Sequence, residues 1–183
     1  MDAETYIDLK TRIVQAGHQH ELDWIAGIQP IDNALDFWGE YAWVVLNSGM
    51  KNTIARQIWD RVRPHVLAGG SAHDVFGHNG KAEAIDTVYF GRDAYFDGYR
   101  QMETDEKRME YIEGLPWIGP ITKYHLAKNY GMNVAKPDRH LVRIAAKYGL
   151  SVDQLCERLR DLTGDKVSMV DMVLWRAASL GFV

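Results

Sequence analysis

The chain has 183 residues, 46% hydrophobic and 25% charged, which is the balance of a globular protein able to bury its own core. A formal net charge of −4 argues against indiscriminate coating of nucleic acid, and no apolar run approaches the roughly 20 residues of a membrane span, so no membrane partner is expected. The single cysteine, Cys156, excludes an internal disulfide, a four-cysteine iron–sulfur cluster and a cysteine zinc site.

In chain order, the start MDAETYIDLK is acidic and lacks a signal-peptide hydrophobic region, which points to the cytoplasm. Residues 3–16 carry Tyr6, Leu9, Ile13 and Val14 at helical spacing and stop at Gly17. Asp32 is placed to cap a longer helix through Leu35, Trp38, Ala42, Val45 and Leu46 that ends near Asn47-Ser48-Gly49. A helix over 52–66 sets Ile54, Ile58, Trp59 and Val62 on one side, and 68–80 reads as loop. Further helices are expected over 81–90, 92–101 and 105–114. Ser151 caps a helix with the stripe Val152, Leu155, Cys156, Leu159 and Leu162, and a last helix covers 166–180. Trp38, Trp43, Trp59 and Trp175 fall in helical stripes and are expected in the core. Strand signals are almost absent, so the fold class is all-α. His18-x-His20 and the pair His73 and His78 lack a completing carboxylate or cysteine, so neither a metal site nor a cofactor is expected.

Chemistry concentrates in residues 111–144, YIEGLPWIGPITKYHLAKNYGMNVAKPDRHLVRI. A helix ends at Gly114, a tight turn runs from Leu115 to Gly119, and Pro120 suits the first position of a new helix because its missing N–H costs nothing there. Such a turn presents backbone N–H groups where an anion such as a DNA phosphate is stabilised. Ile121, Tyr124 and Leu126 or Ala127 can then pack, which leaves Lys123 and Lys128 available. Asp138 follows the chain-breaking Pro137 and opens a third helix, a good capping position in its own right. From Pro120 to Lys147 the chain carries +5 (Lys123, Lys128, Lys136, Arg139, Arg143 and Lys147 against Asp138), leaving −9 for the rest. A basic face on an acidic body suits a focused anionic ligand.

This segment resembles the helix-hairpin-helix and following aspartate loop of the DNA base-excision glycosylase superfamily, the endonuclease III-like enzymes. The hairpin pattern L-P-x-[IV]-G-x-x-T is met by Leu115, Pro116, Ile118, Gly119 and Thr122, and the aspartate in its D-x-H-x-x-R setting by Asp138, His140 and Arg143. The stretch 43–59 is similar to the family's helix and turn that wedge into the duplex, which places Asn47 near DNA. The resemblance covers about residues 30–180 of a single glycosylase-like unit (1–183). It implies two helical lobes with a DNA cleft between them, a helix-hairpin-helix at about 105–130, and a catalytic loop and helix at about 131–149. Two departures stand out. Trp117 replaces the hairpin's first glycine, so the turn either changes shape or makes an aromatic contact. Ile121 stands where bifunctional enzymes carry a Schiff-base lysine, which argues against a lyase.

Within the superfamily, the wording PITKYHLAKN and KPDRHL is similar to a phage-associated branch, the α-glutamyl/putrescinyl thymine pyrophosphorylase-like proteins with their amino acid:DNA transferases. That resemblance implies an enzyme of the host cytoplasm that flips a base out of double-stranded DNA. It would join an amino acid such as glycine to a phospho- or pyrophosphomethyl-uracil. Asp138 and His140 would then be catalytic, with Lys136 and Arg139 at the leaving group. Asn47, Trp117, Gly119, Thr122, Lys123 and Arg143 would hold DNA. The alternatives are a monofunctional glycosylase, in which Asp138 stabilises charge on the sugar, and a non-catalytic DNA-binding module.

Overall fold

A computed structural model describes residues 1–183, and all of its regular structure is helical. The first helices are α1 (Ala3–Ile13), α2 (Gln19–Gly27), α3 (Ala34–Asn47) and α4 (Asn52–Leu67). Then come α5 (Asn79–Phe90), α6 (Arg92–Arg100), α7 (Asp105–Glu113) and α8 (Thr122–Asn129). The chain closes with α9 (Arg139–Ala146), α10 (Val152–Thr163) and α11 (Val167–Ser179). No helix is long and apolar enough to cross a membrane.

Local chemistry accounts for most boundaries. Ser151 and Gln154 form a reciprocal capping box at the start of α10, and Gly164, at φ +77°, takes the left-handed turn that ends it. Asn33, not the expected Asp32, caps α3, its side chain accepting from the Asp36 N–H at 2.8 Å. Gly17, at φ +88°, bends the chain between α1 and α2. Helix α2 has no counterpart in the sequence reading, because only Leu22 and Ile25 of its residues are buried and its Trp24 faces solvent.

The chain divides into two compact units, one formed by Met1–Gln29 with Gly131–Val183 and the other by Pro30–Tyr130. In the first, α11 packs against α1, α2, α9 and α10. The core there is mainly aliphatic: Leu9, Ile13, Leu141, Ile144, Leu155, Leu159, Val170, Val173 and Leu174, with Cys156 fully enclosed among them. Its two chain segments are tied by charge. Asp165 accepts from Lys10 at 2.9 and 2.7 Å and from the Tyr6 hydroxyl at 2.7 Å, and Arg176 grips Glu21 through two nitrogens.

In the second unit α3 is central, packed by α4, α5, α6 and α8. Here the core is aromatic, with Phe37 stacked on Tyr130 at 4.8 Å and tilted against Phe96 and Tyr99 at 5.8 and 5.7 Å. Buried aromatic polar groups reach carbonyls of other elements: Trp38 Nε1 to Ile85 at 3.1 Å, Tyr130 to Phe37 at 2.9 Å, and Tyr41 to Pro116 at 2.7 Å. Burial pushes the pKa of both tyrosines up. Of the four tryptophans expected in the core, Trp38 is buried, while Trp43, Trp59 and Trp175 are half-buried. Leu35, Ile54 and Leu162, expected in apolar stripes, are exposed. Their helices are covered over a narrower arc than the periodicity implied.

Candidate functional site

The loop before α9 is built by anchoring. The Ser168 N–H donates to Asn133 Oδ1 at 3.0 Å, and the Lys136 N–H donates to Asp171 Oδ1 at 2.7 Å. Ser168 and Asp171 are both buried on α11, so the loop is held through the Asn133 side chain and the Lys136 backbone just ahead of Pro137. Asp138 then caps α9, its Oδ1 accepting from the His140 N–H at 2.8 Å and the Leu141 N–H at 3.1 Å. Both bonds fall on one oxygen, and Oδ2 takes part in neither. Capping therefore orients the carboxylate without consuming it. A short bond from the Asp138 N–H to the Lys136 carbonyl, 2.7 Å, tightens the same turn.

Around this aspartate, Lys136 and His140 are half-buried, and Arg139 and Arg143 are exposed. Arg143 reaches the Val183 carbonyl at 3.5 Å, a contact too long to hold it firmly. All five residues lie in the unit that contains α9. The other predicted residues, Asn47, Trp117, Gly119, Thr122 and Lys123, lie in the second unit.

In that second unit α7 and α8 pack on each other, and the turn between them is held by the buried Leu115 and Ile118 and by the Tyr41 bond to Pro116. Two expectations about this turn need correction. Helix α8 begins at Thr122, not Pro120, and Ile121 is exposed where packing was expected. Pro120 and Ile121 form a preliminary turn, closed by the Lys123 N–H donating to the Gly119 carbonyl at 3.0 Å. No side chain caps α8, although the Lys123 N–H is already taken by that turn.

The second correction concerns charge. Lys123, expected to be available, donates to Glu113 at 2.5 Å, which holds its pKa above the usual lysine range. Lys128, likewise expected outside, is buried. The basic segment read from the sequence thus separates into Lys123 and Lys128 in one unit and Lys136, Arg139, Arg143 and Lys147 in the other.

Trp117 resolves the question its replacement of glycine raised. Its φ is +63°, and it is the only non-glycine residue in the left-handed region. The backbone keeps the conformation that a glycine would adopt freely, at a cost of about 1–2 kcal/mol for a bulky side chain. The aromatic contact forms as well, with the His78 ring edge-on at 5.2 Å. Gly80 lies beneath the indole, where a Cβ would come within 2.6 Å of the ring. The indole is braced on two sides and still 46% exposed.

Asn47 ends α3, and the turn behind it is clamped by a residue that motif reading passed over. Lys81, only 4% exposed, donates to the carbonyls of Leu46 at 3.0 Å and Ser48 at 2.6 Å. The ammonium sits at the negative end of the α3 dipole, while burial pulls its pKa below the usual lysine value. Nothing local in the sequence marks this lysine, because its acceptors lie more than thirty residues away.

No protein-family model matches the chain, and no curated protein or solved structure matches it at a significant level.

Proposed function

We propose that the chain is a DNA-modifying enzyme that acts on a base flipped out of double-stranded DNA. The reaction is transfer of an amino acid such as glycine onto a phospho- or pyrophosphomethyl-uracil during phage thymine hypermodification. The observation that carries this reading is Asp138. One carboxylate oxygen is committed to capping α9, the other is not, and the loop bearing it is anchored to α11 beside Lys136, Arg139, His140 and Arg143. A rigid carboxylate among cations suits a reaction in which an ammonium must be deprotonated and an anionic leaving group stabilised.

In this scheme the amine nitrogen attacks the 5-methylene carbon, the carbon–oxygen bond breaks, and phosphate or pyrophosphate departs with the bonding pair. The proton lost by the nitrogen passes to a carboxylate, and Lys136, Arg139 and His140 offset the leaving group's charge. Flipping the base costs a few kcal/mol, offset by phosphate contacts. The uncapped start of α8 and the exposed Trp117 supply a second DNA contact. The alternative of base excision uses the same aspartate to stabilise an electron-poor sugar. Ile121 in place of a Schiff-base lysine and the Glu113 partner of Lys123 both favour a monofunctional enzyme in that case.

Nucleoside mass spectrometry decides between them. The chain is incubated with glycine and duplex DNA containing 5-phosphomethyl- or 5-pyrophosphomethyl-uracil, and in parallel with duplexes carrying uracil and damaged bases. A glycine-bearing nucleoside in an intact backbone is the expected product. Free base with an abasic site makes the chain a glycosylase, and binding without either product leaves a DNA-binding module.

A further inference from the structure

Glu40 and Asn129 meet where nothing in the reading above requires them. Glu40 is half-buried on α3, and Asn129, 7% exposed, ends α8. Asn129 Nδ2 donates to Glu40 Oε2 at 2.8 Å. The other half of that amide, Oδ1, is buried with no hydrogen-bond partner. A buried carbonyl oxygen left unpaired is costly, and native structures retain few such atoms. Covalent geometry sets this orphan acceptor next to the nitrogen that binds Glu40, so two acceptor groups, an amide oxygen and a carboxylate, share one small region. With Nδ2 turned to Glu40, their complement is a group that only donates.

Charge points the same way. Burial is the main influence that raises the Glu40 pKa, and Asp36 adds to it, while the Asn129 bond and Arg56 oppose it. Arg56 does not neutralise the carboxylate by direct pairing, since its guanidinium stands over the ring of Trp43 at 4.4 Å. Glu40, Trp43 and Asn47 are spaced i, i+3, i+7, on one face of α3, and the helix rise sets Glu40 about 10 Å from Asn47.

We propose that Glu40 and Asn129 form a recognition site for a ligand amino group, with the amide oxygen and the carboxylate accepting its N–H bonds. The donor is the ammonium group of the amino acid co-substrate, an assignment that rests on the transferase reading. A cytosine-type base offers the same N–H donors, without the charge, through its exocyclic amine.

The test needs no DNA. The full chain, labelled with nitrogen-15, is titrated with glycine, with methylammonium chloride, with 2′-deoxycytidine and with thymidine, and the Asn129 side-chain amide signals are followed by NMR. Saturable shifts with glycine and methylammonium are expected, weakened about tenfold or more in Glu40→Gln, whose amide carries no charge. A response to 2′-deoxycytidine and not to glycine upholds the amino-group site and overturns the ammonium assignment. Absence of a response to all four compounds in the unaltered chain overturns the site, whatever the variant does. Glycine binding without transfer to the modified duplex removes the transferase reading and leaves the site standing.

Discussion

The two units solve the same packing problem by different means. Pro30–Tyr130 is continuous in sequence, and its aromatic core does two jobs at once, filling volume and sending Trp38, Tyr41 and Tyr130 donors to carbonyls of neighbouring elements. The unit of Met1–Gln29 and Gly131–Val183 is discontinuous and aliphatic, so its hydrophobic side chains give little directional guidance. Direction comes instead from Asp165 with Lys10 and Tyr6, and from Glu21 with Arg176, pairs more than 150 residues apart in the chain. Where two distant segments must meet in one register, charged hydrogen bonds supply the specificity that aliphatic contacts lack.

The largest effect is expected at Asp138. In Asp138→Asn the amide oxygen still caps α9, since asparagine caps as well as aspartate, but the negative charge is gone. Turnover is expected to fall about 10²–10⁴-fold with duplex affinity within a few fold, measured by nucleoside mass spectrometry and fluorescence anisotropy. Near-normal turnover would reduce Asp138 to a cap.

Next comes the tie in the discontinuous unit. Asp165→Ala strips Tyr6, a fully buried residue, of its acceptor, and a loss of about 2 kcal/mol is expected in urea unfolding. Lys10→Met removes only a partly exposed ion pair and should cost no more than about 1 kcal/mol. Equal costs for the two variants would break the argument that the buried tyrosine hydroxyl is the sensitive member.

In the continuous unit, Trp117→Gly and Trp117→Ala both delete the indole, yet glycine adopts φ +63° without strain. The glycine variant should be the more stable by about 1 kcal/mol, the reverse of the usual alanine preference, and both should lose DNA affinity alike. Paired urea melts and anisotropy titrations check this.

The smallest effect is a pH dependence. The pKa of Glu40 is raised in the fold, so its stabilising contribution is full below the ordinary value of 4.5 and is lost as pH rises through the raised one. Glu40→Gln lacks that step. Its stability relative to the unaltered chain should therefore improve between about pH 4 and about pH 7, which thermal melts at the two values measure.

What could be read in advance follows the range of the interactions. The Asp138 cap was legible because a proline and an aspartate before an apolar stripe are local signals satisfied within three residues. The departure at Trp117 was legible as a residue but not as a conformation, since φ there depends on Gly80 and His78 across the unit. Lys123 looked available because its partner Glu113 lies ten residues back, beyond a turn whose path decides whether they meet. Glu40 and Asn129 are 89 residues apart, and Lys81 meets the carbonyls that it caps from another helix.

By itself, then, the sequence determined an all-helical chain, most helix boundaries and the position of the α9 cap, because periodicity and capping involve neighbours along the backbone. Only the tertiary structure decided which residues make up each of the two units and that the expected basic segment is shared between them. It also paired Lys123, buried Lys81 and left the Asn129 oxygen alone. Those outcomes depend on which distant surfaces pack together, and burial and pairing are properties of packed surfaces, not of neighbouring residues.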